Sequence, residues 1–370
     1  MRLLHLVKSP PNILARLRFL MGEDSRGGGQ KVMCEDPATG KVFHVVATPV
    51  LRQEDESYML MQLNNLYTSV CANLVKVVDF SVHQLRDFND KGFSSIDERM
   101  AIAVLDYIQG CSVMQYLQRN WEFITNDAFR DLLCQIMNAI RALHKAGVVH
   151  RNIHPDAIVV ELPGTRSIIK KRTASNSSTT RERKGVKSAK LLNQMVVCYL
   201  GDYWFLHNPR TIGCNSSQGR ADWGSPTTMP PEALLYNKSG PHCASNSSQD
   251  TQPVSRIAAA AANREKSETG GQSAGAINAH PNSTRIDRVT EKSDVYAFGV
   301  CLYYWATNGL LKTLPLNNIG QVDIATVKNN LPLKWKPWVH SLFDMCLQVQ
   351  PENRASSSDV HLFLSSRFGK

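Results

Sequence analysis

Between Phe129 and Lys145 the apolar residues Phe129, Leu132, Leu133, Ile136, Met137, Ile140 and Leu143 recur every three or four positions. That spacing predicts a long amphipathic helix with one buried face. Four strand-like runs precede it, at Lys31 to Cys34, Val42 to Thr48, Leu74 to Phe80 and Arg99 to Tyr107, and an earlier first strand is expected over Ala15 to Met21. Phe298 to Ala306 opens another buried helix. A small sheet-rich lobe ahead of a larger helical one is an α+β arrangement, and many unrelated proteins share it.

The formal net charge of +10 suggests nucleic acid or a membrane surface until it is mapped along the chain. Residues 163–195 hold nine basic residues against Glu182 alone, and residues 237–289 hold six against four acidic ones, so the rest of the chain is near neutral. No basic face on the folded core is required, and nucleic acid is not expected as its partner. Both stretches are low in complexity. The first contains Thr173-Ala174-Ser175-Asn176-Ser177-Ser178-Thr179-Thr180 and the second the run Ala258 to Ala262, so neither buries enough apolar surface to offset its ordering entropy. They read as two long disordered inserts in a compact body. The longest apolar stretch, Val295 to Ala306, is well short of the roughly 18 residues a spanning helix needs, so a soluble protein without a membrane span is expected. The nine cysteines form no close pairs of zinc-binding type and fit a reducing, cytoplasmic setting.

The residues after the long helix are the most informative. Val148-Val149-His150-Arg151-Asn152-Ile153-His154-Pro155-Asp156-Ala157-Ile158-Val159 resembles the protein-kinase catalytic loop H-R-D-L-K-P-E-N-I with altered chemistry. Leu200-Gly201-Asp202-Tyr203-Trp204 resembles the magnesium-loop motif D-F-G. Gly224-Ser225-Pro226-Thr227-Thr228-Met229-Pro230-Pro231-Glu232 resembles the end of an activation segment, where A-P-E is expected. Lys292-Ser293-Asp294-Val295-Tyr296-Ala297-Phe298-Gly299-Val300 is similar to the central helix of the large lobe, and Cys346-Leu347 with Pro351-Glu352-Asn353-Arg354 to the last conserved stretch of that lobe. Five such matches in one order are far more specific than any one of them. The chain thus resembles the eukaryotic protein kinases over roughly Ala15 to Phe363. The resemblance implies a two-lobed fold, with an N-terminal extension at 1–14, a β-rich N-lobe at 15–107, and a helical C-lobe at 108–370 that carries inserts at about 163–195 and 237–289.

Phosphoryl transfer in this family relies on positioning and charge, so each group can be checked. The catalytic aspartate is replaced by Asn152, whose amide is no general base at neutral pH, a role worth typically about 10² to 10⁴ in rate. His154 stands where the family has a lysine, and Ala157 where it has a metal-binding asparagine. Of the three glycine-loop positions, held by Ser25, Gly27 and Gln30, only Gly27 survives. No lysine occurs between Lys41 and Lys76, so the phosphate-binding lysine is missing whether Val46 or Thr48 occupies its place. Its helix partner is hard to assign: Glu56 is a candidate, with a surface carboxylate as the simpler reading. Asp202 is retained as the one residue that could still hold a metal ion. Replacing Phe-Gly by Tyr203-Trp204 removes backbone freedom and adds bulk beside the cleft.

The resemblance implies that the architectural residues are kept. Glu232 and Arg354 are placed for a buried ion pair, and Asp294 to brace the loop at His150 and Arg151. Two classes of function follow. The first is a pseudokinase that binds a protein partner, an active kinase or another signalling enzyme, as a scaffold or allosteric regulator. The second is a weakly active or divergent ATP-dependent serine/threonine kinase using Asp202 and His154 with ATP and magnesium. Lys170-Lys171-Arg172 with Arg183, Lys184 and Lys187 has the spacing of a nuclear-import signal, and Arg172-Thr173-Ala174-Ser175 has the form of a basophilic phosphorylation site. Thr211, Ser216, Ser217, Thr227 and Thr228 are further candidate acceptors.

Overall fold

The computed structural model describes residues 13–23, 30–50, 53–84, 99–161, 196–203, 225–236, 289–311, 313–318 and 320–366. Gly27, Trp204, Ser175 and the insert residues 163–195 and 237–288 lie outside these. Five strands form one antiparallel sheet in the order β1-β2-β3-β5-β4: β1 (Arg18–Glu23), β2 (Gln30–Asp36), β3 (Lys41–Pro49), β4 (Val77–Gln84) and β5 (Arg99–Asp106). With α1 (Gln53–Thr68) they make the smaller, β-rich part of a mixed α+β fold.

Residues of alternate parity point to opposite faces of a strand, and here both faces are covered. Val32, Cys34, Phe43, Val45, Ala47, Ile102 and Val104 pack against Leu14 and Leu17 on one side. Val46, Ala101, Ala103 and Leu105 pack with Met59, Leu63 and Leu66 of α1 on the other. Strand β5 is therefore a run of six buried residues, Met100 to Leu105.

The expected first strand begins later than the sequence suggests. Leu14–Arg16 is a turn of 3₁₀ helix, because the Asp79 carboxylate of β4 accepts hydrogen bonds from the backbone N–H groups of Ile13 (2.8 Å) and Leu14 (3.4 Å). Leu74 likewise precedes β4 and forms an isolated parallel bridge with Leu200.

The larger part is helical: α2 (Val113–Asn120), α3 (Asn126–Lys145), α4 (Pro231–Tyr236), α5 (Glu291–Ala306), α6 (Ile324–Asn329), α7 (Pro337–Cys346) and α8 (Ser357–Ser365). Helix α3 buries the predicted face, from Phe129 to Leu143, and Thr125 caps it by accepting from the Ala128 N–H at 3.2 Å. Helix α5 starts seven residues before Phe298 and is buried on every side, so it runs through the core. At Gly299 a β-carbon would lie 2.7 Å from Cys346 Cβ and 2.8 Å from a Leu347 methyl carbon, so the absence of a side chain there lets these two side chains pack directly on the α5 backbone.

A second sheet of three short strands, β6 (Gly110–Ser112), β7 (Ile158–Glu161) and β8 (Val197–Leu200), lies beside α3. One apolar core runs from α1 and the first sheet through α3 and α5 to α7. Among the described residues, no helix is long and apolar enough to cross a membrane.

Candidate functional site

Strands β7 and β8 assemble the site. Their antiparallel register sets Ile158 opposite Leu200, so the loop before β7 and the residues after β8 leave the ladder at the same end. Residues 150–154 and 201–203, about fifty positions apart, are thereby placed side by side.

The loop before β7 is held from below by Asp294, in the first turn of α5. Its carboxylate is fully buried and chelates two consecutive amides: the His150 N–H donates to Oδ2 at 2.7 Å and the Arg151 N–H to Oδ1 at 2.9 Å. Arg151 adopts φ 61°, a left-handed conformation uncommon for a residue with a β-carbon, and the paired bonds hold it there. His144 of α3 completes the anchor, with Nε2 3.0 Å from Asp294 Oδ2 and Nδ1 2.8 Å from the Ser357 hydroxyl of α8. Burial alone raises a carboxyl pKa, but the His144 hydrogen bond and the nearby histidines outweigh it and draw Asp294 below its ordinary value. His150 is driven the other way from charge: burial holds its imidazole below its ordinary 6.5, in the neutral form.

The hydrogen bonds orient both imidazoles. Asn152 N–H donates to His150 Nδ1 at 3.2 Å, so Nε2 carries the proton and donates to the Gly201 carbonyl at 2.8 Å. Asp156 N–H donates to His154 Nδ1 at 3.3 Å, which leaves His154 Nε2 to donate to Asp202 Oδ2, also at 3.3 Å. The Asn152 side-chain amide reaches the same oxygen at 2.9 Å and the Asp202 carbonyl at 3.0 Å. Asp202 Oδ2 thus faces two protein donors, and Asp202, like Arg151, sits at φ 61°. Asn152 and Asp202 touch, and His154 joins them as a third member.

Among the described residues, the ion pair that joins α1 to the first sheet is that of Glu56 with Arg99 of β5. Thr48 of β3 is 0% exposed and Gln62 of α1 is 3% exposed. Lys41, the lysine of β3, pairs with Asp106 at 2.7 Å. Glu56 is a correction: it is 8% exposed, and Arg99 at the start of β5 donates to it at 2.9 Å. Among the described residues no ion pair joins β3 to α1. Ala157, 5% exposed, presents a methyl group next to the loop.

A second anchor lies below. Glu232 of α4 and Arg354 form a bidentate pair with both contacts at 2.7 Å, and Arg354 is 2% exposed. The remaining guanidinium protons are used as well: Nε donates to the Gln348 carbonyl at 2.6 Å, Nη1 to that of Lys292 at 3.1 Å and Nη2 to that of Val349 at 2.9 Å. The Ser293 hydroxyl donates to Glu232 at 2.7 Å, and the Tyr296 ring lies 4.9 Å from the guanidinium carbon. Asn73, Gln135 and Asn138, which sequence reasoning passed over, form an amide network beside the site. No motif signals it.

A family model for protein tyrosine and serine/threonine kinases matches residues 257–364. The serine/threonine-protein kinase CBK1 of Eremothecium gossypii is 32% identical over 72 residues, 20% of this chain and 10% of the relative. The probable serine/threonine-protein kinase PknB of Lactococcus lactis is 26% identical over 88 residues, covering 23% and 14%. Sperm motility kinase 1 of Mus musculus is 29% identical over 94 residues, covering 24% and 19%. The chain therefore spans a tenth to a fifth of the length of these relatives.

Proposed function

We propose that this member of the eukaryotic protein kinase superfamily is a pseudokinase, a kinase-like protein that works by binding a protein partner as a scaffold or allosteric regulator in phosphorylation signalling. The observation that carries the reading is the state of Asp202: its Oδ2 takes hydrogen bonds from the Asn152 amide and the His154 imidazole, two donors supplied by the chain itself. A carboxylate satisfied in this way needs no cation at that oxygen. ATP and magnesium fit the surrounding residues poorly. Ala157 has no ligand atom, β3 carries no lysine beyond Lys41, already paired with Asp106, and Asn152 cannot take up a proton from a hydroxyl nucleophile at neutral pH.

The opposing observation is that the Asp202 side chain remains 37% exposed, next to His154. On it rests the second reading, a weakly active serine/threonine kinase like the relatives named above. A thermal-shift titration separates the two, since a ligand that binds only the native state raises the unfolding midpoint. The expected result is a midpoint unmoved by millimolar ATP, with or without magnesium or manganese. A rise that needs the metal would support the kinase reading.

A further inference from the structure

Immediately above Asp202 the chain is tied to the connection between α1 and β4. Leu74 makes one parallel bridge to Leu200 at the end of β8: the Leu200 N–H donates to the Asn73 carbonyl at 2.8 Å and the Val75 N–H to the Leu200 carbonyl at 2.9 Å. Amide side chains brace this bridge. Asn73 donates to the Cys198 carbonyl at 3.1 Å and to Gln135 Oε1 at 3.2 Å, and Asn138 donates to Asn73 Oδ1 at 3.1 Å. Gln135 in turn accepts from the Cys198 N–H at 3.0 Å and donates to the Val196 carbonyl at 3.0 Å.

Tyr203 closes the arrangement. Its side chain is 0% exposed, and its hydroxyl donates to the Val75 carbonyl at 3.1 Å, with the Leu200 carbonyl 3.4 Å away. The ring lies beside that of His150, with centroids 5.4 Å apart. A β-carbon at Gly201 would come within 2.8 Å of Val75 Cγ2, so residue 201 lies directly against Val75. Every backbone carbonyl from 200 to 202 has a donor: Val75 N–H for Leu200, His150 Nε2 for Gly201 and the Asn152 amide for Asp202. Turning residues 201–203 over would break these bonds together and leave a phenol buried without a partner.

We infer that Tyr203 is a latch, whose hydroxyl, bonded to the Val75 carbonyl, fixes residues 200–203 against residues 73–75 in the ligand-free protein and gives this segment a single resting conformation. A phenylalanine there would fill the same space without the bond. The latch deepens the pseudokinase reading, because it supplies from within the chain the order that a bound nucleotide would otherwise impose, but it is measured with no nucleotide present.

Hydrogen exchange on the full chain, wild type against Tyr203→Phe and without nucleotide, tests it. The Val75 and Leu200 amides are direct reporters. Their exchange is expected to speed up by roughly fivefold in the variant, the effect of one net hydrogen bond on local opening, while the amides of α5 keep their wild-type rates. Unchanged rates at Val75 and Leu200 would overturn the latch. An equal rise across α5 would overturn it too, since the hydroxyl would then serve global stability alone. Metal-dependent ATP binding by the wild type would count against the pseudokinase reading and leave the comparison of the two ligand-free proteins intact.

Discussion

Replacing Arg354 by methionine is expected to cost about 3–5 kcal/mol, the usual result of removing one partner from a buried ion pair. The loss extends beyond one contact. Glu232, 8% exposed, would keep, among the described residues, the Ser293 hydroxyl as its donor, and the carbonyls of Gln348, Val349 and Lys292 would each lose a guanidinium proton. Against a typical total stability of about 5–15 kcal/mol, this is a large fraction of the whole. Urea denaturation followed by tryptophan fluorescence should show a much lower midpoint. The double variant Arg354→Met with Glu232→Leu is expected to recover part of the loss, because an apolar pair leaves no buried charge uncompensated. If Arg354→Met moved the midpoint by less than about 1 kcal/mol, the value of an ordinary surface pair, the buried anchor would be wrong.

Asp294→Ala is expected to be of the same order, about 3–5 kcal/mol, since it strips a buried acceptor from two backbone N–H groups and from His144 together. Asp294→Asn should cost less, because one oxygen still accepts, although the amide end faces donors. The same cluster sets the acid response of the wild type. His150 is held neutral below its ordinary 6.5, so stability is full above that pH. As pH falls from 6.5 toward the depressed folded value, the unfolded chain takes up a proton that the native chain refuses, and stability declines. Asp294, depressed below 3.8, adds stability that is present above that value and is lost only as pH falls through its folded value. Thermal midpoints should therefore begin to drop near pH 6.5, well above the carboxylate range. A midpoint flat from pH 7.5 to 5 would contradict the buried neutral imidazole.

Some of this was legible in the sequence. Glu232, Arg354 and Asp294 were singled out by the resemblance to the kinase motifs, and the structure joins them to partners. The α3 helix was readable from its 3.6-residue period, and the two-part α+β order from the change of period along the chain. Other features depend on contacts that no local pattern carries. Glu56 sits in Gln53-Glu54-Asp55-Glu56-Ser57, which reads as surface, and its partner Arg99 lies 43 residues away. The grip of Asn152 on Asp202 spans 50 residues and exists because the β7–β8 register closes it. The bond from Tyr203 to Val75 spans 128 residues, and one hydroxyl separates it from a plain aromatic packing residue. The late start of β1 follows from Asp79, a side chain two strands further along the chain than β2, which captures the amides of Ile13 and Leu14.

On the proposed pseudokinase reading, the Asn152, His154 and Asp202 cluster serves structure and does not transfer phosphate. A radiolabelled phosphotransfer assay tests it most directly, using purified protein, γ-labelled ATP, magnesium or manganese, and a mixed serine/threonine peptide substrate, with Asp202→Ala as the control. The account predicts that wild type incorporates no more label than Asp202→Ala, into itself or into peptide. Incorporation by the wild type that disappears in Asp202→Ala would contradict it and identify the chain as an active kinase.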